Sequence, residues 1–338
     1  MYEDSYGLRY KPFGIAPDPQ FLFLTGQHRE AATGLIYAIL KHRGLMTLTG
    51  EAGTGKTTIL RAVLKAIGTS SVQVAYVPVP TLNPAEFLEF VLLQFGLLNA
   101  ARANKAERLL VFERFLLKAN EENRTVVLII DEAHKLSKEL LEEVRLLTNY
   151  NTRHGGLIQV VLAGQTELDD LLRQSDMAQL KQRVAYRFTL RPLGREEVRE
   201  YIAYRWNRAG GDSRVPFEED ALDAVARYSS GIPRLINAIC DNALMMAFAE
   251  GTPAVSAAIV QAVARDLDLT GSSVAAPPSE DGGVEDGLET LELAVMATEM
   301  AGEGELALER RQSQEKGSWL SRSARKLLML GRSGERHE

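Results

Sequence analysis

The residues best suited to chemistry are Gly50, Glu51, Ala52, Gly53, Thr54, Gly55, Lys56 and Thr57, with Thr58 behind them. They match Gly-x-x-x-x-Gly-Lys-Thr, follow the apolar stretch 45–49 and open a helical one. Glycines let backbone N–H groups curl around phosphate oxygens, and a helix N-terminus adds its positive end. Lys56 would reach the β- and γ-phosphates, and the Thr57 hydroxyl would bind Mg2+. A chance match in a chain of this length has odds on the order of 0.01, so a phosphate-binding loop is preferred to a plain glycine turn.

A second group lies at the end of Val126-Val127-Leu128-Ile129-Ile130-Asp131-Glu132. An unbroken apolar run suits a buried parallel strand, and ligands bind at the C-terminal ends of such strands. Asp131 would hold Mg2+, directly or through water, and Glu132 would act as general base on the attacking water. His134 follows as a packing or coupling residue rather than a metal ligand. The run Val160-Val161-Leu162-Ala163 delivers a third polar end, Gln165-Thr166. Either side chain could orient water, and Gln165 is favoured.

Two arginine sites remain. Arg183, with Arg187 close behind, precedes the strand-like Phe188-Thr189-Leu190; Arg234 opens a helix in Gly231-Ile232-Pro233-Arg234. An arginine delivered from a neighbouring subunit is worth ~10³–10⁵ in rate. One carried on a moving lid couples closure to the nucleotide.

These residues need a scaffold, and the hydrophobic pattern supplies one. Strand-like stretches 45–49, 72–79, 125–130 and 157–163 alternate with helical stretches 57–67, 84–95, 106–117 and one marked by Leu136, Leu140, Leu141, Val144 and Leu147. Such alternation implies a layered α/β domain on a parallel sheet. After Pro192 the chain reads as helices alone, over 195–207, 217–228, 233–249 and 254–267. The expected divisions are an arm at 1–28, an α/β domain at 29–192, a helical lid at 193–269, an acidic disordered linker at 270–310 and a basic tail at 311–338. The arm carries Tyr6, Phe13, Pro17, Pro19, Phe21 and Phe23, and reads as an irregular segment packed on the body.

The formal net charge is −6, but residues 271–338 hold 13 acidic and 8 basic side chains, leaving 32 and 31 in the first 270. A nearly neutral body gives no support to a strongly basic nucleic-acid binder. Residues 311–338 place Leu320, Ala324, Leu327 and Leu328 on one helical face beside Trp319. They suit either a basic amphipathic helix docking on an anionic membrane or a tail that is disordered or docks on its own chain. One cysteine, Cys240, excludes an intrachain disulfide framework and a cysteine zinc site; its apolar neighbours suggest a buried thiol. No signal peptide is read at the start, and no apolar run approaches the ~18 residues of a membrane span. A cytoplasmic location is expected, with peripheral contact at the inner face of the membrane.

The ordered set of glycine-rich loop, Asp-Glu strand, polar strand end, arginine and Gly-x-Pro-Arg helix resembles the AAA+ ATPases over about residues 29–268. The string Tyr6-Gly7-Leu8, Pro12-Phe13, Pro17-Asp18-Pro19, Phe21-Leu22-Phe23-Leu24 and His28-Arg29-Glu30 resembles the start of the general secretion pathway protein A family. That family includes ATPases of pilus biogenesis and of exosortase and exopolysaccharide systems. The resemblance implies a three-layer sheet domain with a helical lid, ATP and Mg2+, and an adenine side lined by the arm and His28. It also implies Gln165 as sensor 1, Arg183 as a trans-acting arginine in a homo-oligomer, and Arg234 as sensor 2. Its client would belong to envelope assembly: secretion, pilus or polysaccharide export. Three departures stand out, the first being Thr166 where proline is common in the strand-end motif. Val77-Pro78-Val79-Pro80 lacks the asparagine common at the end of the second strand, and no membrane helix or peptidoglycan-binding segment is read. The alternative is a DNA-associated AAA+ ATPase of the loader or transposition-regulator type.

Overall fold

The computed structural model describes residues 2–269, apart from 17, 69–70, 79–80, 98–103, 154 and 213, together with Leu291. After a short α1 (Tyr2–Ser5), the chain runs α2 (Gly26–Leu40), β1 (Leu45–Gly50), α3 (Lys56–Ile67), β2 (Val72–Val77), α4 (Pro84–Gln94), α5 (Lys105–Glu121) and β3 (Thr125–Ile130). It continues through α6 (Lys138–Leu147), a small hairpin of β4 (Asn151–Thr152) and β5 (Gly155–Gly156), then β6 (Ile158–Gly164), α7 (Glu167–Arg173), α8 (Ala178–Arg183) and β7 (Val184–Leu190). The main sheet has the order β2-β3-β6-β1-β7, and every ladder is parallel.

Strands β1, β3 and β6 are buried at every position. That is why they read as continuous apolar runs: helices cover both faces. Along β3, Val127 and Ile129 pack with residues of α2 and α3, such as Ile36 and Ile59. Val126, Leu128 and Ile130 pack on the other side with Phe87, Phe112 and Leu141 of α4, α5 and α6. The result is the three-layer parallel-sheet fold the sequence predicts. The parity of each strand decides which face its last side chain serves.

Four helices follow: α9 (Arg195–Arg208), α10 (Glu219–Ser229), α11 (Pro233–Glu250) and α12 (Ala257–Asp266). They share a core that includes Val198, Ile202, Val225, Ile236, Cys240 and Val260. Burial pushes the Cys240 thiol well above its ordinary range, so it is a packing residue. The arm joins this core through Tyr2, Leu8, Phe13, Phe21 and Phe23. Tyr2 Oη donates to Asp241 Oδ1 at 2.6 Å.

Several details differ from the pattern reading. The second helix after Pro192 is expected from residue 217, but Phe217 forms an isolated bridge with Val255 and α10 begins at Glu219. The hairpin, α7 and α8 are too short to show a period in the sequence. Leu291 falls within the stretch read as linker, yet it is fully buried in the α2–α3 cluster. The rest of the linker and the whole basic tail, Trp319 included, lie outside the described residues. Among the described residues, no helix is long and apolar enough to cross a membrane.

Candidate functional site

The loop between β1 and α3 takes backbone angles that its glycines permit. Gly53 and Gly55 have φ of +85° and +102°. A Cβ on Gly53 would stand 2.9 Å from Arg234 Cβ, so this glycine also allows close approach of the helical bundle. Gly55 caps α3 without a side-chain hydrogen bond, and the open N-terminus is a site for an anion. Lys56 is buried, and its Nζ donates to the carbonyl oxygens of Gly50 at 2.7 Å and Glu51 at 2.8 Å. Burial pushes its pKa down; the Glu132 and Asp131 carboxylates oppose that.

Asp131 follows Val127 and Ile129 in parity, so it leaves β3 on the side of α3. There Thr57 Oγ1, from the first turn of α3, donates to Asp131 Oδ2 at 2.8 Å. Tyr76 Oη, from β2, donates to the same oxygen at 2.8 Å. The Glu132 backbone N–H donates to Oδ1 at 2.9 Å. Asp131 is buried, so these donors offset its desolvation. Burial and the neighbouring carboxylate push the Tyr76 hydroxyl well above its usual range, keeping it a donor.

Thr57 and Asp131 are oxygen donors that converge, which fits Mg2+ by size and hardness. Among the described residues no group of three or more His, Cys, Asp or Glu could hold a metal ion.

Glu132 has φ of +53°, a left-handed conformation that turns the chain sharply at the end of β3. Its Oε2 lies 3.1 Å from Lys135 Nζ and 3.6 Å from His134 Nε2. His134 also reaches Gln165: the Gln165 N–H donates to Nδ1 at 3.2 Å, and its side-chain amide lies 3.3 Å from Nε2. The strand-end glutamine and the strand-end glutamate thus meet through one imidazole. Thr166 is exposed and sits at the N-cap of α7.

A cleft of about 270 Å³ opens beside the loop, lined among others by Lys56, Thr57, Thr58, Glu132 and Arg234. The arm forms one wall through Phe21, Leu22 and Phe23. His28 lies behind the loop, with Nε2 3.3 Å from the Thr54 carbonyl and Nδ1 2.6 Å from Thr25 Oγ1. Burial pushes its pKa down to about 4, so the ring is neutral. Arg205 anchors the arm: its Nε donates to the Pro12 carbonyl at 2.6 Å, and its guanidinium lies over the Phe21 ring at 4.8 Å. Its Nη1 donates to Tyr201 Oη, which donates to Asn237 Oδ1.

Arg234 reaches the loop from the bundle, with its backbone N–H 3.4 Å from the Gly53 carbonyl. Arg183 does not line the cleft. It is the exposed last residue of α8, and its Nη2 donates to Asn149 Oδ1 at 2.7 Å. Arg187 is likewise exposed, on β7. Sequence reasoning missed Tyr76, Tyr201 and Arg205. Only the parity of Tyr76 with Val72 and Val74 hinted at its side of the sheet.

A parallel sheet in this order, with a glycine-rich loop after β1 and two acids after β3, defines an AAA+ P-loop protein. A family model described as AAA domain matches residues 39–172. The chain is 39% identical over 252 residues to General secretion pathway protein A of Aeromonas hydrophila, a match covering 75% of this chain. It spans about half that relative, 46% of its length. Residues 39–172 therefore match an AAA domain, within a chain similar to a general secretion pathway protein A. Similar solved structures include Drosophila ORC bound to DNA, at 19% identity, TM-score 0.58 and coverage of 77% of this chain and 65% of that one. Cdc6p from Pyrobaculum aerophilum is similar at 19% identity, TM-score 0.57 and coverage of 73% and 67%. At such identity the likeness is one of fold.

Proposed function

We propose that the chain binds ATP with Mg2+ at residues 50–58 and hydrolyses it to ADP and phosphate as an oligomeric switch or motor in envelope assembly. The observation carrying the ATPase reading is the convergence of Lys56, Thr57, Glu132 and Arg234 on one cleft. Backbone N–H groups of the loop and the N-terminus of α3 would bind the phosphates, with Lys56 exchanging its Gly50 and Glu51 carbonyl partners for phosphate oxygens. Thr57 and Asp131 would hold Mg2+, whose chemistry is to neutralise charge on the phosphate oxygens. Glu132 would accept a proton from the attacking water, and Gln165 would orient that water. Arg234 would report nucleotide from the helical lid. Arg183, exposed and outside its own cleft, would serve the site of a neighbouring copy.

The envelope role rests on the similarity to the secretion protein. We infer action at the cytoplasmic side of a membrane, for a client in secretion, pilus or polysaccharide export. Contact of the basic tail with an anionic surface rests on the sequence spacing of Trp319, Leu320, Leu327 and Leu328 alone. Liposome co-sedimentation tests that contact: Arg322→Glu with Lys326→Glu should reduce it, and equal binding would remove it. The ATPase reading is tested by Mg2+-dependent phosphate release per protomer across protein concentration. A rate per protomer that rises with concentration supports a shared site; no release at any concentration overturns it. A steep fall of DNA affinity with salt would favour the DNA-associated alternative.

A further inference from the structure

The Asp131 carboxylate is held by three donors, and one of them has no part in the loop or in the paired acids. Tyr76 stands on the edge strand β2, in register with Ile129, two residues before Asp131. Val72, Val74 and Tyr76 share the parity that faces the α2–α3 layer. The ladder continues beyond the strand, since the Asp131 N–H donates to the Val77 carbonyl at 2.9 Å. This pins the β3 end to the β2 end and brings the Tyr76 hydroxyl 2.8 Å from Asp131 Oδ2, the oxygen that also accepts from Thr57. Resting on the reading of Thr57 and Asp131 as the Mg2+ residues, we propose that Tyr76 is a positioning residue for the metal: its hydroxyl fixes the rotation of the Asp131 carboxylate.

The physical reason is a change of partners. When Thr57 turns its oxygen lone pair to a cation, its proton must still be accepted, and Oδ2 must stay in place to accept it. A rigid phenol on a neighbouring strand holds that oxygen at little entropic cost, because a tyrosine side chain has few rotors. Donors of this kind, one shell out from a metal, are worth about 10- to 100-fold in metal affinity. The phosphates themselves are bound by the loop and Lys56, which Tyr76 does not touch through a hydrogen bond.

The test is binding of a fluorescent non-hydrolysable ATP analogue to the full chain, first in EDTA and then across a Mg2+ titration. Tyr76→Phe removes only the hydroxyl. Without Mg2+ its affinity should equal that of the wild type, which also shows that the variant is folded. Its half-saturating Mg2+ concentration should rise about 10-fold. An unchanged Mg2+ midpoint overturns the proposal, and so does an equal loss of affinity with and without Mg2+, which would make Tyr76 a structural residue. Wild-type chain that binds no analogue under either condition would overturn the ATP reading itself, a result separable from either failure of Y76F.

Discussion

The backbone N–H of Gln165 donates to Nδ1 of His134 at 3.2 Å. A backbone N–H has only a proton to offer, so Nδ1 presents a lone pair to it. The other ring nitrogen, Nε2, lies 3.6 Å from Glu132 Oε2 and 3.3 Å from the Gln165 side-chain nitrogen. One imidazole therefore sets the distance between the proposed base and the proposed water-orienting residue. His134→Ala should lower turnover about 10- to 100-fold through misplacement of both groups, with nucleotide affinity unchanged. Steady-state phosphate release alongside equilibrium nucleotide binding checks this; full turnover in the variant would remove His134 from the mechanism.

Gly53 is where the helical bundle meets the loop. Alanine there must adopt φ of +85° and bring its Cβ within 2.9 Å of Arg234 Cβ. The left-handed backbone alone costs about 1–2 kcal/mol. Gly53→Ala should lower the thermal midpoint and weaken nucleotide binding together. Wild-type affinity in G53A would mean that the bundle does not need this close approach.

If Arg183 serves a neighbour's site, two defects in different chains should complement each other. Lys56→Ala loses phosphate binding but keeps Arg183; Arg183→Ala keeps binding but loses the arginine. Mixing the two should restore part of the turnover that neither shows alone. No recovery at any ratio would contradict a trans-acting role.

His28 makes stability depend on pH in one direction. Its folded-state pKa of about 4 lies below the ordinary 6.5, so the unfolded chain takes up the proton first. Stability is fully present above about pH 6.5 and falls as pH drops towards 4, by about 3 kcal/mol in total. His42 is shifted in the same direction by burial and adds to the effect. Chemical denaturation at pH 7 and pH 4.5 should show the stability gap between wild type and His28→Gln narrowing at the lower pH. An unchanged gap would mean that His28 stays solvated in the folded state.

What the sequence makes legible follows from burial. β1, β3 and β6 lie between helices on both sides, so their apolar runs stand out, and the polar residues at their ends mark the site. Tyr76 was hidden because its hydroxyl acquires a role only through the register of β2 against β3. Arg205 is one of several arginines on α9, and only the path of the arm past Pro12 distinguishes it. The hairpin at residues 151–156 gives no signal, being two residues per strand. Leu291 shows the limit of composition: an acidic stretch can still bury one apolar side chain.

The most direct measurement is phosphate release by the wild type and by Glu132→Gln at saturating ATP and Mg2+, with ATP binding followed in parallel. Removing a general base should lower turnover by about 10²- to 10⁴-fold, while binding at the loop and Lys56 persists. Equal turnover in the two proteins would contradict the assignment of Glu132, and with it the reading of this cleft as a site of ATP hydrolysis.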